Sequence, residues 1–237
     1  MQVSDATKFT PVDVNIHMIT VSSALKSLYL LGAIDNKRAL TPIGRQMNVF
    51  PLAPQYSRAL LASVEYRCVS PIIAIISLLS SGSKLFFDPP DSEQRETAVE
   101  ARSKFRHPSG DHMTMLSALR AYEDISKAEG RLGKKDWCRR HFLNERALNE
   151  AVDIQDQLRR ICVKEGIDWG TGNNSEGGRA DEEPVLRSLI MGMAQHTAML
   201  RSEGGYKQVM GLAVCSFILS RTFPRPCADH CCDASFL

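Results

Sequence analysis

Arg146, Asn149, Asp153, Gln157, Arg160 and Lys164 recur at helical spacing between Asn144 and Gly166. At about 100° per residue they share one face of a single helix, with Ala147, Leu148, Ala151, Leu158, Ile161 and Cys162 opposite. Four more cations, Lys134, Lys135, Arg139 and Arg140, stand just upstream. Guanidinium and ammonium groups strung along a helix can follow a phosphate backbone without reading bases. The same pattern also describes a plain solvated face, and periodicity alone leaves both readings open. Gln155 falls among the apolar positions, so its amide needs a buried partner or a polar channel to line.

Other chemistry is poorly served. "GRLGKK" has the wrong spacing for a loop that cradles phosphates and lacks the hydroxyl that would hold magnesium. "GTGNNSEGG" does not sit between a strand and a helix, so it reads as linker. Asp181, Glu182 and Glu183 open a helix, where acidic groups suit the dipole. Asp111 and His112 are helix neighbours and point about 100° apart, which rules out a dyad and leaves Asp111 as a cap. Cys227, His230, Cys231 and Cys232 lack a second pair at zinc-module spacing, so no metal site is expected and the tail reads as disordered. No catalytic residue is assigned.

The elements that must position the basic face are helical. With 237 residues, 43% hydrophobic and 24% charged, the chain can bury a real core. A formal charge of +2 supplies no global field, so any polyanion partner must be met by a local stripe. "IIAIISLL", at eight residues, is too short to span a bilayer, and no membrane role is expected. "MQVSDATKFT" lacks the pattern of a secretory signal, so the seven cysteines are expected to be reduced in an intracellular compartment.

A first helix is expected from a cap at Ser22 or Ser23, carrying Leu25, Leu28, Tyr29 and Leu31 and stopping at Gly32. Thr41 and Pro42 start a short helix with Ile43, Met47 and Phe50 on one face, and Pro51 ends it before Pro54 opens the next. Ser70 and Pro71 start an all-apolar buried helix, Ser92 a polar one, and Asp111 one bearing Met115, Leu116, Leu119 and Tyr122. A basic loop, "GRLGKKD", then leads to a short helix around Trp137 and Phe142, which read as core. Asn144 caps the long helix, and a last amphipathic helix runs from Pro184 through Leu200.

The phrases "ALKSLYLLGAID", "LTPIGRQMNVFPLAPQYSRALLAS", "AIISLLSS", "GDHMTMLSALRAY", "DWCRRHFLNERALNEAVDIQDQL" and "GGYKQV" occur in that order from about Ser22 to Met210. Together they resemble the C-terminal helicase-associated region of DEAH-box ATP-dependent RNA helicases. The resemblance implies a mainly α fold: a degenerate winged helix, a helical ratchet bundle and an incomplete oligonucleotide-binding-fold remnant. On this basis residues 1–21 are expected to be irregular, 22–54 a winged helix and 55–166 the bundle. Residues 167–183 would be a flexible linker, 184–202 a final bundle helix, and 203–237 the truncated remnant with a disordered tail.

The departures are specific. Ala53 stands where the family places a capping Asp, and Gln155 where it usually has an Arg. The strand expected after "GGYKQVM" does not follow, and the two RecA-like ATPase domains are not in this sequence. The resemblance therefore implies an accessory region that guides single-stranded RNA and couples motion of those absent domains to RNA or ribonucleoprotein remodelling. ATP and magnesium would act only through the RecA-like domains, and the chain holds no cofactor and is expected to be inactive alone. The alternative is a stand-alone adaptor that binds RNA weakly or docks on a full-length helicase or its glycine-rich patch activator. Lys134, Lys135, Arg139, Arg140, Arg146, Asn149, Arg160 and Lys164 are the candidate nucleic-acid contacts. Family habit points to the nucleus or nucleolus.

Overall fold

Apolar side chains on every side of "IIAIISLL" make one helix the axis for the rest. In the computed structural model, which describes residues 18–170, 182–200, 206–208 and 214–215, this is α4 (Val69–Ser80). Its Ile72, Ile73, Ile75 and Ile76 are fully buried. Around it pack α3 (Pro54–Glu65), α6 (Asp111–Arg140), α7 (Glu145–Lys164) and α8 (Glu182–Met193). α5 (Ser92–Ser103) buries only Ala98 and is otherwise polar, as a surface helix should be. The architecture is mainly α, the expected winged-helix unit first and a helical bundle after it.

The winged-helix unit comprises α1 (Met18–Leu30), a tight hairpin and α2 (Pro42–Met47). Ile34 bridges Leu40, and the Asp35 carboxylate accepts from the Lys37 and Ala39 N–H groups at 2.8 Å each. Thr41 caps α2 by accepting from the Gly44 N–H at 3.0 Å, while its hydroxyl donates to the Gly32 carbonyl at 2.6 Å. α2 therefore starts where the sequence places it, and it is bolted to the end of α1. Leu31, Ala33 and Met47 form a small separate core beneath it.

Several expectations need correction. α1 begins at Met18, so Ser22 and Ser23 lie inside the helix on its solvent side rather than capping it. α4 begins at Val69 after Cys68, which puts Ser70 and Pro71 within the first turn. Gly110, with φ +104°, occupies the N-cap of α6, so Asp111 is the first helical residue and contributes through the dipole instead. The expected basic loop "GRLGKKD" lies inside α6. The element nevertheless doubles back: the Tyr122 and Trp137 rings are 6.2 Å apart, whereas fifteen residues of straight helix would span about 22 Å.

The helix expected through Leu200 stops at Met193. Ala194–His196 tighten into a 3-10 turn, Thr197 is extended, and the chain enters β1 (Ala198–Leu200). With β2 (Tyr206–Gln208) and β3 (Val214–Cys215) it forms an antiparallel sheet in the order β1-β2-β3, Ala198 opposite Gln208 and Tyr206 opposite Cys215. Strands of two or three residues cannot close a barrel, and the described residues contain no oligonucleotide-binding fold. Of the expected irregular start, residues 18–21 are helical in α1, while residues 1–17, most of the linker and most of the tail lie outside the described residues.

Candidate nucleic-acid interface

The basic face is built on α7, whose start is fixed by its cap. The Asn144 side chain accepts from the Arg146 N–H at 3.1 Å and the Ala147 N–H at 3.4 Å. Its amide also donates to the Lys84 carbonyl at 3.1 Å, anchoring the helix to the loop after α4. Ala147, Leu148, Ala151, Leu158 and Cys162 are buried, with α7 packed along α4. Arg146, Asn149, Asp153, Gln157, Arg160 and Lys164 are all exposed on the other side. From Arg146 to Lys164 the stripe spans about 27 Å of helix.

The upstream cations reach this stripe only through α6 turning back. Lys134 Nζ lies over the Tyr122 ring, 5.4 Å from its centre. The Tyr122 hydroxyl donates to Asn149 Oδ1 at 2.7 Å, so one buried tyrosine joins Lys134 to the α7 face. Burial, helped by the neighbouring Cys138 and Glu145, pushes the Tyr122 phenol up to about 12, which keeps it a donor at neutral pH. Lys135, Arg139 and Arg140 are exposed. Arg139 approaches Asp136 no closer than 3.9 Å, and Arg140 Nε reaches the Asp136 carbonyl at 3.4 Å. Arg160 and Lys164 sit at the far end of α7, about 21–27 Å along the helix from Arg146, and do not join this cluster.

Gln155 lines no channel. It is 1% exposed, donates from Nε2 to Glu123 Oε1 at 3.0 Å and accepts at Oε1 from Arg159 Nη2 at 2.7 Å. Arg159 in turn pairs with Asp156 at 3.2 Å and stacks over Trp169 at 5.1 Å. A buried amide with both ends satisfied fixes the α6–α7 packing. The Gln155–Arg159 spacing of four residues was a readable signal. Glu123 and Tyr122 were not readable as partners, because only the folded chain brings them against α7.

Two further kinds of titratable group among the described residues are shifted by burial. Burial lowers the His112 pKa, with Asp111 opposing it in part. The Cys68, Cys138 and Cys162 thiols are pushed up chiefly by burial, Cys138 to about 12 and Cys162 to about 11, so they behave as small core side chains. Among the described residues no cluster of His, Cys, Asp or Glu could hold a metal ion, and the tail with Cys227, His230, Cys231 and Cys232 lies outside them. No described helix is long and apolar enough to cross a membrane.

Comparison with known proteins places the part of the chain before α7 in a family. Residues 24–52 match the winged-helix part of the helicase associated domain (HA2), and residues 53–115 match its ratchet-like part. The chain is 35% identical over 189 residues to the human ATP-dependent RNA helicase DHX33, a match covering 78% of this chain and 25% of that protein. The mouse DHX33 protein is 34% identical over the same shares. Human probable ATP-dependent RNA helicase DHX35 is 32% identical over 187 residues, 78% of this chain and 24% of its own length. The chain thus spans about a quarter of the length of the curated relatives it matches.

Proposed function

The chain carries the winged-helix and ratchet-like helicase-associated domain homologous to that of DEAH-box RNA helicases, and from that premise we propose that it guides single-stranded RNA for an ATP-driven motor. Nucleotide chemistry belongs to RecA-like domains, which these 237 residues do not contain. The role left to this region is accessory: to hold RNA by its backbone and to transmit motor movement into RNA or ribonucleoprotein remodelling. The observation that carries the reading is the continuous exposed face of α7, extended by Lys134 through the Tyr122–Asn149 contact. Cations in such a line favour a polyanion of regular charge spacing over a compact acidic partner.

Transmission draws support from α2. Thr41 ties it to the carbonyls of Gly32 and Ala33, and the same short helix packs on α3 of the bundle. A lever pinned at one end and packed at the other passes on rotation instead of absorbing it. Exposed Tyr29, Leu30 and Leu40 on the winged-helix unit favour a second contact, docking of a protein such as a full-length helicase or a glycine-rich patch activator. Residence in the nucleus or nucleolus accords with such a role.

Titrating the purified chain with fluorescein-labelled decauridine by anisotropy tests the RNA reading. Binding should weaken steeply between about 50 and 200 mM salt, as backbone neutralisation requires. Arg146→Glu combined with Arg160→Glu should lower affinity and flatten the slope of log K against log salt by about 1.4, two single-strand contacts' worth. An unchanged affinity and slope would make the stripe a solvated face.

A further inference from the structure

Phe87 is 57% exposed although its backbone is held on both sides. Its N–H donates to the Phe142 carbonyl at 2.9 Å, and its own carbonyl accepts from Arg102 Nη2. Arg102 also pairs with Asp88 at 2.8 Å and covers the ring of Phe86, 5.2 Å from its centre. Phe86 bridges Leu143 and packs on the core, so of two adjacent phenylalanines one is drawn in and the other is held out. Phe142 adopts φ +53°, a left-handed conformation uncommon for a bulky side chain, at the residue whose carbonyl takes the Phe87 N–H. A large apolar side chain left in water on a backbone bonded at both its N–H and its carbonyl is a presented surface.

Cations gather around it. The Phe142 N–H donates to the Arg139 carbonyl at 3.3 Å, which sets exposed Arg139 and Arg140 on the turn that holds Phe87. Exposed Lys84 lies three residues before it, and the Asn144 amide ties the Lys84 carbonyl to the start of α7 beside Arg146. Of the nearby acids, Asp88 is engaged by Arg102, and the Asp136 carboxylate stands 3.9 Å from Arg139, while Arg140 Nε donates to the Asp136 backbone carbonyl at 3.4 Å. An aromatic ring bordered by exposed cations matches a strand that offers bases and phosphates alternately.

We propose that Phe87 is a stacking platform for an unpaired base of single-stranded RNA, with Arg139 and Arg140 meeting the flanking phosphates. This rests on the RNA-guiding role above and extends it from backbone tracking to a base contact. Every base has a π face, so the contact selects for unpaired strands without selecting a sequence.

The test compares two probes of equal charge on the full chain, labelled decauridine and an abasic ribose–phosphate decamer. Phe87→Ala should weaken decauridine binding roughly tenfold, within the approximately five- to hundred-fold range for losing one stacked base, and leave the abasic decamer unaffected. Phe87→Trp should restore or tighten decauridine binding, and Phe87→Leu should not. The ring is exposed, so all three variants should keep the wild-type urea midpoint. Unchanged decauridine binding by Phe87→Ala would overturn the platform and leave backbone tracking standing. An equal loss for both probes would assign Phe87 to shaping the surface and would also overturn it. Failure of the wild-type chain to bind decauridine at all would overturn the RNA-guiding role and the platform together.

Discussion

The winged-helix unit and the ratchet bundle are held together by different physics. The bundle is specified by volume: Leu60, Ile72, Ile73, Leu119, Leu148 and Leu189 belong to one contiguous cluster with almost no access to water. The winged-helix unit has a small core of its own, Leu31, Ala33 and Met47, with Ile34 also buried, while its Phe50 already joins the bundle's cluster; that is little apolar area to order it. Its shape comes instead from the Thr41 hydroxyl, the Asp35 turn and the close approach of α2 to the end of α1. Gly44 makes that approach possible, because a Cβ there would stand 2.1 Å from the Ala33 carbonyl oxygen. A small body defined by directed contacts keeps its angle to a large one without a large core of its own, which suits a part that must relay movement.

Two substitutions sharpen the contrast. Leu148→Ala removes a fully buried side chain from the α7–α4 seam and should cost about 2–5 kcal/mol, read from the urea midpoint. A cost under about 1 kcal/mol would show that the bundle core yields and would break the distinction. Gly44→Ala should cost less overall, about 1–3 kcal/mol, because the clash is with backbone that cannot rotate away but involves only the small unit. Hydrogen exchange should show the loss at residues 31–47 while α4 and α7 keep their protection. Loss spread evenly over the whole chain would mean that the two regions fold as one.

The same contrast explains what could be read from the residues alone. Local chemistry was legible: the Thr41–Pro42 start of α2, the Asn144 cap of α7 and the all-apolar α4 each depend on neighbours in sequence. The polar stripe of α7 was legible for the same reason, since helical period fixes which residues share a face. What was not legible needed distant partners. The reversal within α6 is set by Tyr122 packing on Trp137, and the satisfaction of Gln155 depends on Glu123 from another helix. Ala198–Leu200 is a short apolar stretch that suits helix or strand equally, and it becomes strand by pairing with Tyr206–Gln208. Phe87 and Phe86 are the same residue type side by side, and only the Arg102 and Phe142 contacts decide which ring stays outside.

The junction between the two regions offers the gentlest perturbation. α3 starts at Pro54 with Ala53 at its N-cap, in the extended conformation a cap requires but with no side-chain acceptor for the free N–H groups. Ala53 is exposed, so a carboxylate placed there meets no steric barrier. Ala53→Asp should therefore stabilise the chain by about 1 kcal/mol through the Gln55 N–H and the helix dipole, the Tyr56 N–H already donating to the Ala53 carbonyl at 2.9 Å. Ala53→Ser should give a similar gain with weaker dependence on salt, separating the hydrogen bond from the charge. Because α3 packs on both α2 and α8, the gain should appear in the urea midpoint and also in exchange protection at the start of α3. If neither variant gains stability, the first turn of α3 is already satisfied by other means, and the missing cap would be a tolerated feature of the hinge between the two bodies, not a stability deficit.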